Sequence, residues 1–144
     1  ILTLNVNGLN APLKRYRIAE WIRIHQPGIC CLQETHLTYK DSHKLEIKGW
    51  KKIFHANRHQ KQAGICQSKQ TLRVVKKDKV GHYIMIKALV QQENITVPNI
   101  YALNTGVPKF VKQLLLDLSN EIESNTVIVG DFNTALTALD RSSR

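Results

Sequence analysis

The sequence is poor in the residues that cross-link, interrupt or span. Its three cysteines, Cys30, Cys31 and Cys66, include one adjacent pair and no C-x-x-C spacing, so neither a disulfide framework nor a zinc knuckle is indicated. Seven glycines and four prolines in 144 residues leave no collagenous or low-complexity stretch, and with 42% hydrophobic and 22% charged residues the chain has the composition of a folding domain. No apolar run approaches the ~20 residues a membrane helix requires, and the first residues lack the charged-then-apolar order of a secretion signal. A soluble, intracellular protein with no membrane partner is expected. Met85 is the only methionine and the chain opens at Ile1, so a piece of a longer product is expected. The length fits one domain over residues 1–144.

Acidic residues are also scarce: 11 Asp and Glu stand against 21 Lys and Arg, a formal charge of +10. The excess is local. Residues 40–79 hold twelve Lys and Arg, among them Lys51, Lys52, Lys76 and Lys77, against Asp41, Glu46 and Asp78. Residues 80–140 are net acidic. Phosphate backbones favour such clusters through counterion release, so a polyanion is the expected partner of the middle of the chain; a solvated lysine-rich surface is the ordinary alternative.

Alternation over residues 2–6 predicts a half-buried strand that Asn7 and Gly8 end. Ile18, Trp21 and Ile22 predict a helix over residues 14–25, closed by Pro27 and Gly28. Residues 29–32 form a short apolar strand, and strand, helix, strand predicts a crossover unit that leaves residues 33–36 at a strand's carboxyl end. Further strands are expected at 50–55 and 81–90, joined by a lysine-rich connection, and at 94–101. Pro98 lies inside that last strand and predicts that it is peripheral or damaged, because proline has no amide to give to a ladder. A helix from Pro108 to about residue 123 carries Phe110, Leu114, Leu118 and Ile122 as a stripe. The β-branched run 126–129 then delivers Gly130, Asp131, Phe132 and Asn133.

Three strands thus end in polar groups: Asn5 with Asn7, Glu34, and Asp131 with Asn133. Singly, each has an ordinary explanation as turn chemistry or a solvated loop acid. Together they can do more. One carboxylate with an amide can hold a Mg²⁺ that keeps most of its waters, and a second such set can orient an attacking water and steady an oxyanion.

The order Leu-Asn-Val-Asn-Gly-Leu-Asn (4–10), Cys-Leu-Gln-Glu-Thr-His (31–36), Gly-His-Tyr-Ile-Met (81–85), Asn-Ile-Tyr-Ala (99–102) and Val-Gly-Asp-Phe-Asn-Thr (129–134) resembles the endonuclease/exonuclease/phosphatase superfamily. More closely, it resembles the endonuclease domain of the mammalian long interspersed element retrotransposon polyprotein, and the closing Leu-Asp-Arg-Ser (139–142) fits it. The resemblance implies an α/β fold, the N-terminal part of a two-sheet αββα sandwich with the C-terminal half missing. It implies Glu34 as the metal-holding carboxylate with Asn5 beside it, and Asp131 as the residue that positions the water. Asn133 would contact the scissile phosphate and Tyr101 would place its hydroxyl nearby. The implied reaction is Mg²⁺-assisted nicking of one DNA strand, leaving a 3′-hydroxyl that primes reverse transcription.

The departures matter equally. The family's Ser-Asp-His ending is absent, and none of the six histidines replaces it; they are expected at the surface or in packing. Between Gly64 and Gly81 a strand looks lost, and Leu103 stands where proline is usual. A truncated, decayed copy is therefore expected, one that nicks DNA poorly if at all. The alternative to an enzyme is an inactive remnant with at most nonspecific nucleic-acid binding. A phosphoesterase for small phosphorylated substrates is the weaker choice within the superfamily.

Overall fold

The computed structural model describes residues 1–45, 47–50, 52–56, 64–67, 71–102 and 107–133. Among these residues, two four-stranded sheets lie between two α-helices. The first sheet has β1 (Leu2–Asn5), β2 (Ile29–Gln33), β4 (Gly64–Gln67) and β3 (Lys52–His55) in that spatial order. The second has β5 (Leu72–Lys77), β6 (Tyr83–Val90), β7 (Glu93–Tyr101) and β8 (Val129–Asp131). Helix α1 (Pro12–His25) connects β1 to its parallel neighbour β2, the expected crossover, and α2 (Val107–Asp117) connects β7 to its parallel neighbour β8. Each crossover therefore leaves two carboxyl strand ends side by side.

The pleat sorts the side chains into three apolar layers. Leu2, Leu4, Cys30 and Leu32 face Ile18 and Ile22 of α1. Ile29 and Cys31, on the opposite face of β2, meet Ile84, Ile86, Val97 and Tyr101 of the second sheet. Met85 and Ile100 turn outward onto Phe110, Leu114 and Leu118 of α2. The order is helix, sheet, sheet, helix, as the family resemblance implies.

Both helices follow local chemistry. Pro12 sits at the start of α1, where its fixed φ is pre-organised and its missing N–H costs nothing; Gln26 closes the helix in a left-handed conformation. Helix α2 ends at Asp117, short of residue 123, and a 3₁₀ turn (Ser119–Glu121) completes the expected stripe. Leu118 and Ile122 still pack onto Met85 and Ile100.

Two expectations fail. The strand that looks lost after Gly64 is present: β4 lies in the interior of the first sheet, antiparallel to both β2 and β3. A four-residue strand with glycine at its first position gives too short a run to register against the lysines around it. β5 likewise lies within the presumed lysine-rich connection, with Leu72 buried and Arg73 exposed.

Pro98, second, neither breaks β7 nor moves it to an edge. The strand runs unbroken between β6 and β8, with Pro98 buried opposite Met85. The direction of its missing amide explains why. Thr96 N–H donates to the Asn125 carbonyl (2.9 Å) and Ala102 N–H to the Asp131 carbonyl (2.9 Å), so the even-numbered amides of β7 face β8. On that alternation residue 98 would donate to the Val127 carbonyl. The β7–β8 ladder has its gap there: Thr96 bridges Thr126, and pairing resumes at Asn99 with Val129. The cost falls on residues 127–128, expected as strand and found outside it with exposed Val127 and Ile128.

Candidate active site

The five candidate residues converge at the carboxyl ends of β1, β2, β7 and β8. Asn5 is the register partner of Gln33, which precedes Glu34, and Tyr101 is the register partner of Asp131. Side chains close the remaining two sides of this square. Tyr101 Oη donates to Glu34 Oε1 at 2.9 Å, and Asn5 Nδ2 donates to Asp131 Oδ2 at 2.6 Å. Two backbone ladders and two cross-sheet hydrogen bonds therefore form a closed ring. Asn133 joins it through its backbone N–H, which donates to Asp131 Oδ1 at 3.1 Å. With a donor on each oxygen, the Asp131 carboxylate is held in one orientation.

A cleft of about 310 Å³ opens beside this ring, with Thr3, Asn5 and Gln33 on one side and Asp131, Phe132 and Asn133 on the other. Beneath it lies a buried amide network. Gln33 Nε2 donates to Thr3 Oγ1 (2.8 Å) and Asn99 Oδ1 (2.7 Å). Sequence reasoning assigned no role to Thr3, Gln33 or Asn99; Gln33, at the end of the apolar run 29–32, was the one local signal, and Asn99 inside β7 offered none.

The backbone at the site is unusual in two ways. Glu34 (φ +52°) and Asn133 (φ +44°) are left-handed, a conformation that costs a non-glycine residue roughly 1–2 kcal/mol, less for asparagine. Gly130 has φ +149°, and a Cβ there would lie 1.9 Å from the Ile100 carbonyl oxygen. Only glycine lets β8 approach β7 closely enough to bring Asp131 to the ring.

Tyr101 is 2% exposed. Burial and the Glu34 carboxylate, with a smaller contribution from Asp131, push its phenol up to about 12, so at neutral pH it is a hydrogen-bond donor. The hydroxyl expected near the phosphate is thus turned to Glu34, and Asn133 Nδ2, expected on the phosphate, donates to the Ala102 carbonyl at 2.6 Å. Each of these residues carries a second hydrogen-bonding capacity, the Asn133 amide a further proton and the Tyr101 oxygen its lone pairs.

The donor set suits a hard, hydrated cation. No described residue donates to Glu34 Oε2, and among the described residues no three His, Cys, Asp or Glu side chains converge. One or two carboxylates with amide oxygens are what Mg²⁺ accepts, whereas zinc asks for a tetrahedral nitrogen or sulfur set.

Of the described histidines none lines the cleft. His82 Nδ1 pairs with Asp78 Oδ2 at 2.8 Å and its ring meets Phe110 edge-on. His36 packs against Gly8. The turn that carries Asp78 and His82 borders the site end of β7, because Tyr101 N–H donates to the His82 carbonyl at 2.7 Å. Lys77, the last residue of β5, and Lys79, on this turn, are exposed at the end of the basic stretch. Lys76 approaches Glu121 at 3.6 Å. Lys51, Arg58, Lys61 and Lys69, the Lys52 side chain, Leu103, Thr134 and residues 139–142 lie outside the described residues.

The sequence matches the endonuclease/exonuclease/phosphatase family over residues 2–144. The chain belongs to that family. Solved structures of similar fold include an apurinic endonuclease from Leishmania major, at TM-score 0.74 and 18% identity over 99% of this chain and 57% of that one. The endonuclease domain of TRAS1, a telomere-specific non-LTR retrotransposon, aligns at TM-score 0.70 and 12% identity over 94% of this chain and 61% of that one. The TDP2 protein of D. rerio, crystallised with a single-strand DNA product, aligns at TM-score 0.67 and 16% identity over 93% of this chain and 60% of that one. The chain spans about three-fifths of the length of each of these three family structures. At such identities the likeness establishes the family fold, and its neighbours here include DNA-processing proteins.

Proposed function

We propose that this chain carries a Mg²⁺-dependent DNA endonuclease site of retrotransposon type, which nicks one strand and leaves a 3′-hydroxyl for priming. The observation that carries the reading is the closed ring, which brings Glu34 and Asp131 from different sheets into one site beside an open cleft. The likeness to the TRAS1 endonuclease domain supports the retrotransposon assignment, and the product-bound TDP2 structure supports DNA as the substrate class.

In this reading Glu34 and Asn5 hold the cation. Bound there, Mg²⁺ would neutralise phosphate charge and stabilise the departing oxygen. Asp131, fixed by Asn5 and Asn133, orients a water toward phosphorus and takes its proton. Water oxygen bonds to phosphorus as the bond to the 3′-oxygen breaks; that oxygen takes a proton from solvent, and the proton held by Asp131 returns to solvent. The Asn133 side-chain amide, in reach of the cleft, donates to a non-bridging phosphate oxygen. Tyr101 holds Glu34 in place through its hydroxyl. Lys77 and Lys79 supply sequence-independent attraction for the backbone.

Conversion of supercoiled plasmid to nicked circle tests this. The reading expects nicking that requires Mg²⁺ and falls about 10²–10⁴-fold in Glu34→Ala or Asp131→Ala. The absence of histidine from the described cleft lining favours a second reading, an inactive nucleic-acid binder. Salt-sensitive DNA binding with no Mg²⁺-dependent nicking selects it over the first.

A further inference from the structure

Side-chain hydrogen bonds between the two sheets cluster at one end of the sandwich. Among the described residues they are Asn5 to Asp131, Tyr101 to Glu34, and Gln33 to Asn99. The first two belong to the candidate site. The third lies beneath them, Asn99 0% and Gln33 1% exposed, and the proposed chemistry uses neither side chain, although Gln33 borders the cleft.

Nothing in stability alone calls for this pair. Elsewhere the layer between the sheets is Ile29, Cys31, Ile84, Ile86 and Val97. Two amides in that layer give up apolar contact, and Asn99 Nδ2 is buried without a partner. Apolar residues of similar volume would avoid that penalty. The amides supply direction instead. Apolar contacts let stacked sheets slide, whereas a 2.7 Å hydrogen bond between two buried amides fixes their offset. Thr3 Oγ1 takes the second proton of Gln33 Nε2 and ties β1 to the same point. Gln33 immediately precedes Glu34, and Asn99 lies two residues before Tyr101 on the same face of β7.

We infer that the Gln33–Asn99 pair, steadied by Thr3, is a positioning latch that sets the offset between the Glu34 and Asp131 halves of the site and thereby its grip on a divalent cation. The inference rests on the proposed role of Glu34 in holding that cation.

The test is Mn²⁺ binding to the 144-residue chain, followed by the electron paramagnetic resonance signal of free Mn²⁺, together with thermal melting. Four proteins are compared: wild type, Glu34→Gln, the double variant Gln33→Leu/Asn99→Leu, and the swap Gln33→Asn/Asn99→Gln. The leucine pair is expected to melt no lower than wild type yet bind Mn²⁺ about 10- to 100-fold more weakly, the usual effect of removing a group that orients a metal ligand. The swap, which keeps an amide pair across the gap, is expected to recover most of the affinity. Wild-type affinity in a folded leucine pair, with binding lost in Glu34→Gln, overturns the latch alone. Should the leucine pair fail to fold, a swap variant that folds but binds no better than Glu34→Gln overturns it instead. A wild-type chain that binds no Mn²⁺ overturns the metal-site reading and the latch with it.

Discussion

Asn5 and Asp131, 126 residues apart in the chain, share a hydrogen bond of 2.6 Å between an edge strand of one sheet, β1, and an edge strand of the other, β8. Neither sheet alone contains the site. β1 and β8 become functional neighbours only because α1 and α2 return the chain to parallel partners that expose their carboxyl ends on the same side.

Tyr101 gives a pH dependence of definite sign. Its phenol lies above the ordinary value near 10 through burial first and the Glu34 hydrogen bond second, reaching about 12. Ionisation is therefore easier in the unfolded chain. The stabilisation is fully present below about pH 10 and is lost as pH rises through 12, an effect of up to roughly 2–3 kcal/mol. Melting temperature measured from pH 9 to 12 should fall more steeply for the wild type than for Tyr101→Phe. Equal slopes would show that Tyr101 is not the buried group involved.

Gly130 should tolerate no side chain. Gly130→Ala places Cβ against the Ile100 carbonyl in a backbone region that itself costs roughly 1–3 kcal/mol for other residues. The expected result is a lowered melting temperature and loss of hydrogen-exchange protection at Ala102 N–H, which bonds the Asp131 carbonyl. A variant that melts like wild type would contradict the close approach of β8 to β7.

Pro98→Val should complete the ladder that proline interrupts. The new amide points at the Val127 carbonyl and adds about 0.5–1.5 kcal/mol, of which roughly 0.4–1 kcal/mol is cancelled by the freer unfolded chain. Stability should change little. Hydrogen exchange is the sensitive measurement: amide 98 should become as protected as Thr96, whose N–H already bonds Asn125. Free exchange at position 98 would mean that the gap in β8 has another origin.

The contrast between Pro98 and Asp131 shows what was legible in the sequence. Strand ends that present Asn5, Glu34 and Asp131 are marked locally, by an apolar run followed by polar residues, and the structure brings them together. Helical periods and β-branched runs marked both helices and most strands for the same reason. Pro98 was misread because the harm done by proline depends on which neighbour its missing N–H faces, a fact of register and not of composition. The Gly64 strand was missed because four residues carry too little periodicity. Gln33 and Asn99 meet across 66 positions of sequence, and no local pattern encodes such a pair.

Lys77 and Lys79 should govern any binding of DNA in proportion to salt. Each phosphate contact contributes roughly −0.9 to the slope of log affinity against log salt on duplex DNA. Charge reversal at both positions should lower affinity and flatten that slope equally for unrelated sequences. Lys76, which approaches Glu121, should matter less. A salt-independent affinity would place the contacts elsewhere.

Cys30 and Cys31 are adjacent in sequence yet belong to different interiors, one beneath α1 and the other between the sheets. Burial holds both thiols near pKa 12, so neither reacts while its layer is closed. In a background lacking Cys66, retaining one or the other therefore gives a chain with a single chemical clock. The rate at which an alkylating reagent consumes Cys30 times the loosening of the helix from its sheet, and Cys31 times the parting of the sheets that hold the site together.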